Sequence, residues 1–174
     1  MNHKVKEAFE TLQARVSANP GGSESVFTIR TALIEDVTCE ARIRDFPPLT
    51  IDEPPSMGGT DSGPNPVELV LAALGTCQEI MYASFAAVMG IDLRKVEIQV
   101  KGYMDSKGIL ALDDNTPPGF TEIRFETRIE SDADEDRLRR MIEMVEGHCP
   151  VLDTLSRPVP IQGKVWHNGL KLKT

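Results

Sequence analysis

Residues 58–77 read GGTDSGPNPVELVLAALGTC, and the stretch changes character at Asn65-Pro66. Ahead of that point, residues 52–66 hold four prolines and three glycines, a composition that forbids regular structure. Behind it, apolar residues crowd together. Asn65 is placed to cap a helix with Pro66 in its first turn, and the pattern runs to residue 89, where Gly90 stops it. The charge-free run Leu69–Gln78 is ten residues long, too short to span a bilayer. A helix this apolar must be buried, so the polar stretch before it reads as an ordered loop that delivers the helix into a core, not as a domain linker.

The flanking sequence supplies the rest of the fold. Val5, Phe9, Leu12 and Val16 recur at helical spacing, predicting an amphipathic helix over 3–17 that ends at Asn19-Pro20-Gly21-Gly22. Residues 25–34 and 37–46 are rich in β-branched residues and predict a hairpin about Glu35-Asp36, with a short extension at 49–51. Strict alternation predicts strands over 96–105 and 120–131, separated by a Pro-rich loop at 113–119. Asp132, with Glu135 three residues on, predicts a helix start, and the helix runs to about residue 146. Pro150 opens a short helix over 150–156, and 159–166 reads as a last strand. Strand runs broken by helices without βαβ alternation indicate an α+β fold with a largely antiparallel sheet and a long buried central helix. The expected organisation is an N-terminal helical extension over 1–20 followed by one domain over 21–174.

Composition narrows the function. The 174 residues carry 19 Lys+Arg against 27 Asp+Glu, a formal charge of −8. That acidity speaks against nucleic acid or an anionic membrane as partner, since both need a basic footprint. Three cysteines and no signal-peptide pattern suggest free thiols in a reducing cytoplasm. There is no C-x-x-C or H-x-x-x-H spacing, so no metal site is expected. His148 and Cys149 are chain neighbours, poorly placed to meet as a protease pair.

The chemistry-bearing candidates are Cys77 and Cys149. Cys77 shares an apolar helix face with Val70, Ala73, Leu74 and Met81, and on helix position alone it reads as a packed core thiol, a small hydrophobe, before it reads as a reactive one. Cys149 precedes Pro150 and so occupies the N-cap of the short helix. There its sulfur would meet free backbone N–H groups that favour a thiolate; otherwise it is only a weak cap. Cys39 reads as a packed strand residue.

Two segments resemble the OsmC/Ohr family. Residues 58–77 are similar to its first motif, a Gly-rich loop and N-P dipeptide feeding a helix with the first cysteine. The second motif, with the second cysteine, is matched by HCPVLDTL at 148–155. The resemblance covers roughly 25–168. It implies an OsmC-like fold in an intertwined homodimer, with N-terminal strands of one chain over the central helix of the other. It further implies a cytoplasmic thiol-dependent peroxidase acting on organic hydroperoxides. Cys77 would attack the peroxide and Cys149 would close a disulfide. No bound cofactor is expected; an external dithiol, such as a lipoyl protein, would reset the pair. Val70, Leu74 and Met81 would line an apolar substrate pocket.

The chain departs from the family's pattern at the groups that activate the thiol. The family's helix carboxylate directly follows N-P, where this sequence has Val67; Glu68, nine residues before Cys77, falls on the opposite helix side. Asp52 or Glu53 could replace it from the loop side, or simply begin a turn. For the family's arginine the candidate is Arg30. With a turn at Glu35-Asp36 it would pair with Ala41 and share an apolar face with Val26, Cys39 and Ile43. An alternative is therefore a non-peroxidase relative that binds a small apolar or thiol-reactive ligand at the dimer interface. Close sulfurs without a nearby cation would favour that alternative.

Overall fold

In chain order the computed structural model, which describes residues 3–172, contains α1 (His3–Ala18), β1 (Ile29–Glu35), β2 (Thr38–Ile43), β3 (Leu49–Ile51), α2 (Pro66–Met89), β4 (Leu93–Tyr103), α3 (Ser106–Ile109), β5 (Glu122–Ser131), α4 (Glu135–His148), α5 (Pro150–Ser156), β6 (Trp166–His167) and β7 (Leu170–Lys171). The fold is α+β, with antiparallel pairing throughout: β1-β2-β3, β4-β5 and β6-β7. Residues 1 and 2 of the expected N-terminal extension lie outside the described residues.

The central helix starts and stops as its sequence dictates. Asn65 Oδ1 accepts from the Glu68 backbone N–H at 2.9 Å, and Glu68 Oε2 accepts from the Asn65 N–H at 2.9 Å, a complete capping box. At the far end Gly90 takes the left-handed conformation (φ 64°) that L side chains avoid. The Arg137 guanidinium of α4 donates to the freed carbonyls of Met89 (2.7 Å) and Gly90 (3.2 Å). By length and composition α2 is apolar enough to cross a membrane, more so than the ten-residue run suggests. It is nevertheless the core helix. Leu74, Gly75, Gln78, Tyr82, Phe85 and Ala86 form its buried face, and Tyr82, Phe85 and Ala86 join Ile91, Met141 and Val145 in the central apolar cluster. Gly75 lets α2 close on the sheet: a Cβ there would lie 3.3 Å from Val100 Cγ2 of β4. Helix α1 packs on the same cluster, with the Phe9 ring edge-on to Phe85 at 5.6 Å.

The delivering loop is held by one carboxylate. Asp52 is 1 % exposed and accepts from Thr38 Oγ1, from the Glu53 N–H, and from both the N–H and hydroxyl of Thr60 and of Ser62, at 2.7–3.1 Å. Gly59 permits this wrap, because a Cβ there would collide with the Glu53 carbonyl oxygen at 1.9 Å. These hydrogen bonds hold the Asp52 carboxyl far below the usual carboxylate range, the Thr60 hydroxyl contributing most.

Several boundaries differ from expectation. The first hairpin turns at Asp36-Val37, not Glu35-Asp36, and Asp36 adopts φ 45°. A bulge between Leu33 and Glu35 then shifts the register, so that Arg30 pairs with Arg42 and Thr31 with Ala41. A one-residue slip exchanges the faces of a strand. Arg30 therefore lies with Ala32, Glu40 and Arg42, not with Cys39, Ala41 and Ile43, and the Arg42–Glu40 ion pair (2.7 Å) marks that face as polar. The N-cap of α4 is Asp134, which accepts from the Arg137 N–H, in place of Asp132, and the helix runs through Gly147 to His148. In place of a strand over 159–166 the chain has no regular element up to Val165, then forms the β6–β7 hairpin with Asn168 and Gly169 at positive φ.

Candidate active site

The fold joins the two cysteines that the sequence holds seventy-two residues apart. Cys77 sits on α2, one turn past Leu74, turned away from the centre of the buried face and half-buried. Cys149 forms the joint between α4 and α5 and is 0 % exposed. Both are free thiols, and they face each other closely enough for Cys149 to raise the pKa of Cys77.

Burial is the main reason that the Cys77 thiol is pushed above its ordinary value. The opposing influence is the backbone N–H of Val151, which donates to the Cys77 sulfur. Val151 is the second residue of α5, so this is one of the amides left free at a helix start. Cys149 does occupy the N-cap position, yet its side chain makes no capping hydrogen bond. The amide that a capping side chain would have taken is spent on Cys77 instead. No arginine or lysine is among the groups acting on Cys77.

The other expected participants lie as follows. Glu68 is engaged in the capping box and Asp52 in the loop anchor. Arg30 is exposed, without an ion-pair partner among the described residues. His148 is turned from Cys149: its Nδ1 meets the Met144 carbonyl at 2.9 Å and its ring stands edge-on to Phe85 at 5.8 Å. Cys39 pairs with Leu33 and Ile51 across the N-terminal sheet. Leu74 lines a cavity of ≈ 310 Å³ of mixed character, with Phe120, Ile123, Phe125, Leu152 and Leu155 on its wall beside Thr121, Glu122 and Ser156. Met81 packs against the central cluster and Val70 is exposed; neither is on this cavity's wall.

The sequence reading passed over three polar residues in the interior behind the thiols. Gln78, the residue after Cys77, is 0 % exposed, and neither its Oε1 nor its Nε2 has a partner among the described residues. Thr127 Oγ1 of β5 is likewise buried, beside the Tyr82 hydroxyl. Tyr82 is 2 % exposed. The available signal was a lone amide at 78 in helical step with Leu74 and Tyr82.

Comparison with known proteins bears on the family and the fold. The family model described as OsmC-like protein matches residues 59–164. A hydroperoxide reductase of Mycoplasma genitalium is 28% identical over 125 residues, covering 72% of this chain and 84% of that protein. Among solved structures, an OsmC-like protein from Mycoplasma pneumoniae superposes with a TM-score of 0.66 at 24% identity, covering 76% of this chain and 88% of the other. An organic hydroperoxide resistance protein OsmC from Legionella pneumophila gives 0.58 at 16% identity, with 76% and 92% covered. The central helix and both cysteines fall within the matched span, and the chain belongs to the OsmC-like protein family.

Proposed function

We propose that the protein is a thiol-dependent peroxidase that reduces organic hydroperoxides through Cys77 and Cys149. The observation that carries this reading is the meeting of the two thiols, with the Val151 N–H on Cys77. Cys77 thiolate attacks the peroxide, its S–O bond forming as the O–O bond breaks, and the alkoxide takes a proton and leaves as the alcohol. Cys149 then attacks the sulfenic acid, the S–S bond forms and water leaves. An external dithiol, a dihydrolipoyl group for example, returns both thiols by exchange. The apolar side of the cavity beside Leu74, formed by Phe120, Phe125, Leu152 and Leu155, offers a place for the organic part of a peroxide.

In this reading the protein works as a homodimer. Ile29 and Leu33 of β1 and Ile80 of α2 are 56 %, 66 % and 65 % exposed, and no strand of the N-terminal sheet joins the cluster around α2. A second copy whose N-terminal sheet lies over α2 by the Ile29/Leu33 face would cover both surfaces, with Arg30 on the opposite, polar face of β1.

A specific observation favours a second reading. Cys77 is held protonated by burial with no cation beside it, and Glu68 is spent on the helix cap. A relative that binds a thiol-reactive or apolar ligand without turnover fits those facts. The deciding experiment mixes reduced protein with cumene hydroperoxide and counts thiols. Loss of two thiols per chain, abolished in Cys77→Ser, supports the peroxidase. Saturable binding of an apolar ligand with no peroxide consumed selects the second reading.

A further inference from the structure

A glycine inside a strand costs conformational entropy and packs nothing, so its presence marks a close approach by another group. Gly102 is such a residue, the last but one of β4 and paired with Ile123 of β5. It does not adopt a positive φ, so its backbone would accept any L residue. What excludes one is space. A Cβ at 102 would collide with the Phe120 ring, at Cε1, at Cδ1 (2.6 Å) and at Cζ (2.8 Å). All three atoms belong to one ring, which therefore lies directly against the Gly102 backbone. The chain beside that ring is pinned. Thr121 donates to the Tyr103 carbonyl from its N–H at 2.8 Å and from its hydroxyl at 3.1 Å. A side chain at 102 would therefore move the ring and not the backbone that carries it.

The free space available to that ring is the cavity beside Leu74. Phe120 lines the cavity, whereas Gly102 does not, so the ring stands between them. The cavity adjoins Cys77 from two directions. Leu74 is three residues before Cys77 on α2, and Leu152 follows Val151, whose N–H donates to the Cys77 sulfur. Its volume of ≈ 310 Å³ exceeds the about 150 Å³ in which an apolar cavity holds benzene. The polar side chains on its wall are already engaged: Glu122 with Arg124, Thr121 with the Tyr103 carbonyl, Ser156 with the Leu152 carbonyl. What remains to meet a ligand is the aromatic and aliphatic side, which suits a compact neutral group such as an aryl ring. A carboxylate finds no free cation there, because Arg124 is paired with Glu122.

We propose that Gly102 and Phe120 together set the size of the organic group that the site accepts. With glycine at 102 the Phe120 ring lies back against β4, and the cavity holds a neutral aryl or similarly compact group. Any larger residue at 102 tips the ring into the cavity and closes it. The proposal rests on the reading of this cavity as the place of the organic part of a peroxide. Phe120 is the specificity-determining residue; Gly102 is a positioning residue, since it acts through the ring.

Calorimetric titration with 2-phenyl-2-propanol, the alcohol left when cumene hydroperoxide is reduced, reads the cavity without any redox step. The wild-type protein should bind it saturably. Gly102→Ala should weaken binding about tenfold, and adding Phe120→Leu to that variant should restore it, because the smaller side chain clears the new Cβ. A kinetic arm compares thiol oxidation by cumene hydroperoxide with that by hydrogen peroxide, which needs no cavity. Gly102→Ala should lower the ratio of the two rates about tenfold with the hydrogen peroxide rate unchanged, and the double variant should restore the ratio. A merely structural role for Gly102 would lower both rates together. Native binding in Gly102→Ala would overturn the proposal, as would a native rate ratio or a wild-type protein that does not bind the alcohol. If Gly102→Ala does not fold, Phe120→Trp, which fills the cavity from the same seat, carries the comparison with the same expected losses. Binding that responds as expected in a protein whose thiols survive both peroxides would sink the peroxidase reading and leave this one standing; thiol oxidation with an unaltered ratio would do the reverse.

Discussion

The backbone N–H of Val151 is directed at the sulfur of Cys77, although Cys149 holds the N-cap position of the same short helix. The helix start thus polarises the cysteine of another element and leaves its own cap thiol free to face it. Burial outweighs that N–H, so the Cys77 thiol still stands above its ordinary value.

The alkylation of Cys77 should follow a raised titration. Burial and the neighbouring thiol both favour its protonated form, so reaction with iodoacetamide should stay slow at pH 7 and rise above the ordinary thiol range, near 8.5. Cys149→Ala removes one raising influence and should move the profile to lower pH. Val151→Pro removes the lowering N–H and should move it higher. Mass-spectrometric rates on Cys77 peptides across pH 6–10 read both shifts, and opposite signs would refute the account.

Asp52 should govern acid stability. Its folded pKa is depressed, so its contribution is present above the unfolded value near 3.9 and is lost as pH falls through and below it. Asp52→Asn should lower the melting temperature at pH 7 by several degrees, because its amide NH2 would oppose N–H and hydroxyl donors. Melts from pH 7 down to 2 should converge for the two proteins; parallel curves would contradict the anchor role.

Loss of the capping box should cost what such caps usually cost. Asn65→Ala removes the acceptor for the Glu68 N–H and is expected to destabilise by about 1 kcal/mol, a few degrees in Tm. Urea unfolding should show the change in midpoint without a change in slope.

Assembly can be tested on the surfaces left uncovered. Sedimentation should give twice the 19.2 kDa chain mass at micromolar concentration. Leu33→Glu or Ile80→Lys should shift the species toward the chain mass, since each buries a charge in the expected interface. A stable wild-type monomer would count against both the dimer and any site shared between copies.

Much of the fold was legible because local rules governed it. Asn65, Pro66 and Gly90 bound α2 by cap chemistry that no distant contact overrides, and the alternation of residues 96–100 and 122–130 shows which sheet face is buried. The hairpin register was not legible in the same way. Two adjacent turns, at Glu35-Asp36 and Asp36-Val37, are nearly equivalent locally, and the bulge after Leu33 is selected by how the two strands pair as a whole. That single step moved Arg30 to the polar face.

From the chain alone came two cysteines, each embedded in a motif that sets its local element, and a central helix too apolar to stand uncovered. Their meeting could come only from the three-dimensional packing, because sequence separation says nothing about which helix start lies over which helix face. The Val151 amide on Cys77 and the buried Gln78 belong to that same class of fact. A backbone N–H carries no sequence signature, and a glutamine in a helix looks the same whether it faces water or the core. Burial, which removes water as the default partner, turns both into chemistry, and burial is a property of the assembled layers.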